Sequence, residues 1–117
     1  MFVTLTHFVS TNAMIWGKHL TGRLRPSEWH HGTSWWQEGG SFPSGHIALI
    51  GSIALPLAIL YPRTRTAMFA IIAFTMVARV MASAHWVSDV FGGVVLVALV
   101  TWACAVAVQR APWPAVA

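Results

Sequence analysis

Nineteen consecutive residues, Val90–Val108, carry no charge at all. A helix of that length comes close to the ~20 apolar residues needed to cross the hydrocarbon core of a bilayer. Two more apolar stretches precede it, Ile47–Tyr61 and Ala67–Ala84. A fourth, Phe2–Trp16, is interrupted by Thr4, Thr6, His7, Ser10, Thr11 and Asn12, and is read here as a further span. It lacks the basic start and small-residue cleavage site of a signal peptide. The chain is 56% hydrophobic and 9% charged, whereas an ordinary soluble domain carries about 25% charged residues. That leaves too little polar surface to cover a globule in water, which disfavours a soluble helical bundle. At 117 residues there is room for one small domain, 1–117. The expected fold class is all-α, a transmembrane helical bundle of about four spans.

The net charge of +4 does not make the chain a nucleic-acid binder, because its basic residues are scattered and form no stripe or binding motif. The single cysteine, Cys104, lies in an apolar span and reads as packing. A long loop, Lys18–Phe42, holds Trp29, His30, His31, Trp35 and Trp36. Such residues commonly sit at headgroup level, and an aromatic belt is favoured over direct substrate contact. Helix parity puts this loop and the Ser83–Asp89 break on one side of the membrane. Arg63, Arg65 and Arg110 fall on the other side, without an acidic residue, which the positive-inside rule makes cytoplasmic.

Charge is scarce enough for its placement to be informative. The only lysine is Lys18 and the only aspartate is Asp89. Arg79 and Asp89 lie beside or within the apolar stretches, where charge is costly and points to function. Parity lets Lys18, Arg25, Arg79, two histidines and one carboxylate converge on one membrane face. Asp89 follows His85 by four residues, so on one helix they share a face. A carboxylate accepting the Nδ1 proton would leave Nε2 with an exposed lone pair, making His85 a competent nucleophile. Taken alone, the pair reads more readily as a buried histidine held by a structural carboxylate.

The run Ser41-Phe42-Pro43-Ser44-Gly45-His46 opens the second span. Serine is a favoured N-cap and proline suits a first helical turn, so the first N–H groups are left to bind an anion. Gly45 allows close approach of backbone to ligand, and Ser44 adds a hydroxyl donor. His46 is placed to protonate a departing oxygen. An ordinary helix start explains the serine and proline equally well, but not the glycine and histidine. Arg79 and His85, six residues apart, would diverge by about 120° on an unbroken helix. A break near Ala82–Ala84 is therefore expected, with Arg79 ending one helix and His85 and Asp89 opening the next. Arg25 and Arg79 offer planar paired donors to phosphate oxygens, and Lys18 a compact point charge. Phosphoryl transfer needs mainly such positioning and charge stabilisation.

Together these residues resemble the type-2 phosphatidic acid phosphatase and vanadium haloperoxidase superfamily, whose signature is K-x6-R-P, P-S-G-H and S-R-x5-H-x3-D. The three parts are matched by Lys18 to Arg25-Pro26, by Pro43-Ser44-Gly45-His46, and by Arg79 through His85 to Asp89, with Ala78 in place of the leading serine. The resemblance, carried by residues 18–89, implies that Lys18, Arg25, Arg79, Ser44 and the Gly45 backbone hold a phosphoryl group. It further implies that His85 attacks phosphorus, that Asp89 orients it, and that His46 protonates the leaving lipid oxygen, with no metal or other cofactor. His30–His31 could bind zinc adventitiously. Membrane phosphatases of this superfamily usually have six spans. Four spans here would lack the first two, so the expectation is either a partial chain or a minimal version that completes its bundle by homo-oligomerisation. The function implied is a lipid phosphate or diphosphate phosphatase in a bacterial-type inner membrane, with its site on the outer face. Rival readings are a phosphotransferase, a haloperoxidase, and an inactive membrane protein that keeps the fold.

Overall fold

A computed structural model of the chain describes residues 1–27 and 39–110. The order is α1 (Phe2–Thr21), α2 (Gly45–Leu60), a 3₁₀ turn (Pro62–Thr64), α3 (Arg65–Met81) and α4 (Val87–Arg110), with no strand among the described residues. This is the all-α bundle expected. Helix α1 runs five residues beyond the span read from sequence, which puts Lys18 on its last turn rather than in a loop. It stops at Gly22, whose left-handed backbone (φ 55°) returns its N–H to the Lys18 carbonyl, a conformation that costs a glycine little. The 3₁₀ turn with α3, Pro62–Met81, and α4 are long and apolar enough to cross a membrane, while α2 has 16 residues. The loop tryptophans and histidines, Trp29, His30, His31, Trp35 and Trp36, lie outside the described residues.

The distribution of polarity is inverted relative to a water-soluble bundle. Phe8, Trp16, Leu20, Phe74, Met81, Leu99 and Trp102 are exposed, whereas Thr6, Ser10, Ser41, Ser44, Ser52, Thr75, His85, Asp89 and Thr101 are buried. Apolar outer faces with small and polar residues between helices are the pattern of packing in lipid. One interhelical bond of this kind joins His7 Nδ1 on α1 to the Ser52 hydroxyl on α2 at 2.7 Å. The Ser52 hydroxyl itself donates to the Leu49 carbonyl, so the His7 ring must be the donor. Helices α1, α2 and α4 pack mutually, and α3 leans chiefly on α2. Backbone proximity is set by small residues: a Cβ on Gly17 of α1 would lie 2.8 Å from Pro43 Cδ, and one on Gly92 of α4 would lie within the Phe42 ring. Phe42 and Pro43 are thereby wedged between α1 and α4, at the entrance to α2.

The break expected near Ala82–Ala84 is present, and its hydrogen bonds show how it is made. Ser83 N–H bonds the Val80 carbonyl at 3.0 Å and Ala84 N–H bonds the Arg79 carbonyl at 3.2 Å, the paired closure of a Schellman motif. Ser83 takes the left-handed position at φ 53°. The chain turns there, leaving Arg79 in the last turn of α3 and His85 just before α4. The helix ends at Met81, three residues earlier than the apolar stretch suggests, because the motif closes as soon as Ser83 reverses its φ.

Candidate active site

The site is built where α1 ends, α2 and α4 begin, and α3 ends. Two main-chain bonds hold the loop ends together: Gly39 N–H to the Gly22 carbonyl at 3.1 Å, and Ser41 N–H to the Arg23 carbonyl at 2.9 Å. A third, from Ser44 N–H to the Asp89 carbonyl at 3.2 Å, ties the start of α2 to the first turn of α4. These bonds bring the three signature segments into one place. The charges of Arg79, Arg25 and Lys18 and the ring of His85 all act on His46, and Arg25 and Asp89 act on Lys18. Six of the eight residues singled out from the sequence are thus linked electrostatically across four elements. His46 is exposed at the mouth, while His85 and Asp89 are buried.

His85 is held differently from the sequence expectation. Its Nδ1 lies 2.8 Å from the Ser41 main-chain oxygen and 3.6 Å from Asp89 Oδ2. The second distance suits an ion pair with a charged ring but is too long for a hydrogen bond. A carbonyl only accepts, so Nδ1 carries the hydrogen and Nε2 carries the lone pair. Asp89 is otherwise engaged. Its Oδ2 accepts from the Ser41 hydroxyl and from Trp86 N–H at 2.7 Å, and its Oδ1 accepts from Arg23 Nη1 at 3.1 Å. A carboxylate oxygen offers about two lone-pair directions, and both on Oδ2 are taken, which turns Nδ1 toward the carbonyl. The Trp86 bond also makes Asp89 the helix half of a capping box, reaching back from the third residue of α4.

The elements expected from the sequence to bind an anion are arranged around this core. Ser44 is the residue before α2, but its hydroxyl makes no capping bond, and Pro43 precedes the cap rather than entering the first turn. The Ser44 hydroxyl is buried with no partner among the described residues, as is Arg79 Nε. No side chain caps the α2 N-terminus, an arrangement that suits an anion. A Cβ on Gly45 would project toward Lys18 Cε at 3.7 Å, so the glycine faces the cationic side. Lys18 Nζ donates to the Gly40 carbonyl, which steers the ammonium toward the loop that carries Ser41. Among the described residues no group of three His, Cys, Asp or Glu could hold a metal ion.

Two participants were not singled out in sequence. Ser41 supplies both the carbonyl under His85 and a hydroxyl to Asp89. Arg23, between Lys18 and Arg25 in sequence, reaches Ser88 Oγ at 2.6 Å as well as Asp89.

Known proteins agree with this assembly of motifs. A family model of the PAP2 superfamily matches residues 1–113. A lipid A 1-phosphatase of Rhizobium etli is 35% identical over 113 residues, an alignment that covers 83% of this chain and 49% of that protein. A lipid A 1-phosphatase of Rhizobium johnstonii is 34% identical over 116 residues, covering 83% of this chain and 46% of its own. The chain spans about half the length of these curated relatives. No solved structure gives a significant match. With a family match along nearly its whole length, and the signature residues gathered in one site, the chain belongs to the PAP2 superfamily.

Proposed function

We propose that this chain carries the catalytic part of a membrane lipid phosphatase acting on a lipid A 1-phosphate or a closely similar lipid phosphate. The substrate class comes from the similarity to lipid A 1-phosphatases. A membrane setting is supported by two helices able to span a bilayer and by the apolar outer faces. The observation that carries the chemistry is the bond from His85 Nδ1 to the Ser41 carbonyl, which leaves Nε2 as the nucleophilic nitrogen. In this reading the Nε2 lone pair attacks phosphorus and the bond from phosphorus to the lipid oxygen breaks. His46 gives its proton to that oxygen, and the phosphoryl group stays on His85. Water then attacks phosphorus, His46 takes up the released proton, and the N–P bonding pair returns to Nε2. Lys18, Arg25, Arg79, the Ser44 hydroxyl and the N–H groups opening α2 hold the phosphoryl oxygens. Asp89, 3.6 Å from Nδ1, stabilises the ring when phosphorylation makes it positive. Arg63, Arg65 and Arg110 at the far ends favour an inner membrane with the site on the outer face.

The test is phosphate release from a panel holding lipid A, phosphatidic acid, phosphatidylglycerophosphate and an isoprenoid diphosphate, with a chelator present. Native protein should release the 1-phosphate of lipid A, undiminished by chelation, and His85→Ala should release none. Retained activity in that variant would falsify the phosphohistidine route. Loss of activity on chelation would overturn metal independence.

A further inference from the structure

We infer that Arg23 is a positioning residue for the His85 nucleophile, acting through Asp89 and Ser41 rather than on the substrate. The inference rests on the reading of His85 as nucleophile. Arg23 falls between the two signature cations, Lys18 and Arg25, at a position that K-x6-R-P leaves unspecified. Its guanidinium bonds Ser88 Oγ at 2.6 Å and Asp89 Oδ1 at 3.1 Å, and lies 5.9 Å from the centroid of the Trp86 ring. Trp86 is pinned in turn, its Nε1 donating to the Leu24 carbonyl at 2.7 Å. The main-chain oxygen of Arg23 accepts Ser41 N–H at 2.9 Å.

Arg23 therefore grips both supports of the nucleophile. Its backbone fixes the segment whose carbonyl holds Nδ1, and its side chain fixes the carboxylate that faces the same nitrogen. The Asp89 side chain is fully buried, and the Arg23 side chain is 15% exposed. A buried carboxylate without a cationic partner is costly and would rotate to find one. Rotation would release the Ser41 hydroxyl from Oδ2 and let the carbonyl beneath His85 drift. Arg23 holds Oδ1 so that Oδ2 stays on Ser41 and Trp86. It also offsets a negative charge that the incoming phosphate would otherwise meet beside the nucleophile.

The experiment compares Arg23→Gln and Arg23→Lys in the full chain, alone and combined with Asp89→Asn. Turnover on the lipid phosphate is expressed per active site by counting phosphorylated protein after an alkaline quench. Arg23→Gln should lower kcat about 10- to 100-fold, the range for losing a hydrogen bond to a charged group. Inhibition by inorganic phosphate should change less than about threefold, since Arg23 does not touch the phosphoryl group. Arg23→Lys, which keeps the charge, should recover most of the rate. In the Asp89→Asn background, Arg23→Gln should cost less than about threefold, because a neutral side chain needs no cationic partner. An undiminished kcat, an equal loss in both backgrounds, or a loss seen mainly in phosphate affinity would each overturn the inference. A His85→Ala control separates the two levels. Activity surviving in it removes the nucleophile reading itself, whereas an inactive His85→Ala beside a fully active Arg23→Gln removes only the role of Arg23.

Discussion

Nδ1 of His85 lies 2.8 Å from the main-chain oxygen of Ser41 and 3.6 Å from Asp89, so the backbone and not the carboxylate sets the tautomer of the ring. Replacing Asp89 by Asn would leave that tautomer in place. It would remove the charge facing the phosphorylated ring and set an amide against Arg23, Ser41 and Trp86. We expect kcat to fall about 10²-fold, with inhibition by inorganic phosphate little changed. In a Ser-His-Asp triad, where the carboxylate itself fixes the tautomer, the same change costs about 10⁴-fold. A loss that large, measured by steady-state turnover, would show that Asp89 and not the Ser41 carbonyl fixes the tautomer of the ring.

His46, exposed at the mouth of the site, is assigned to the leaving oxygen. Its replacement by Ala should slow a substrate with a poor leaving group by about 10²- to 10⁴-fold, the usual contribution of a positioned acid. An aryl phosphate whose leaving group departs without a proton should phosphorylate His85 at a far less altered rate, read as the pre-steady-state burst, although its steady turnover still needs His46 to take the proton from water. Equal losses of burst rate on a lipid phosphate and on p-nitrophenyl phosphate would remove His46 from the leaving-group role.

A Cβ added at Gly39 would stand 2.3 Å from the Arg23 carbonyl oxygen and 2.8 Å from Leu24 Cα. Backbone cannot rotate aside as a side chain can, so the loop that bears Ser41 must move. Gly39→Ala should destabilise the protein by about 1–3 kcal/mol, as overpacking does, and should lower kcat through displacement of the Ser41 carbonyl. Thermal unfolding in detergent, read beside turnover, checks both. Native values for both would mean that the pairing of residues 39–41 with 22–23 does not matter to the site.

Ser83 occupies the left-handed position that closes α3. A side chain there costs roughly 1–2 kcal/mol, of which the extra freedom of an unfolded glycine recovers about 0.5–1. Ser83→Gly should therefore raise stability by about 0.5–1 kcal/mol, seen as a higher midpoint in chemical denaturation. Ser83→Val should lower it. The opposite order would contradict the motif.

Much of this architecture was written plainly in the chain. The uncharged run of α4 and the isolation of Lys18 and Asp89 placed the helices and their shared end, because charge in an apolar sequence needs a reason. The break before His85 was legible from angular arithmetic alone, since Arg79 and His85 could not otherwise face each other. What escaped was held by backbone. Every residue has a carbonyl, so nothing in the letters marked Ser41 as the partner of His85. Arg23 was hidden for a related reason: its contacts with Ser88 and Asp89 span 65 and 66 residues, and no local spacing encodes them. The stop of α1 was misplaced because Gly17, Lys18 and His19 break off its apolar pattern, although all three belong to the helix.

One bond has a mechanical implication. Ser44 N–H and the Asp89 carbonyl join the helix that carries His46 to the helix that follows His85. Two imidazoles from distant parts of the chain are thereby measured from one shared peptide contact. While that contact holds, the starts of the two helices move together, and the proposed place of a phosphorus atom between the rings moves with them.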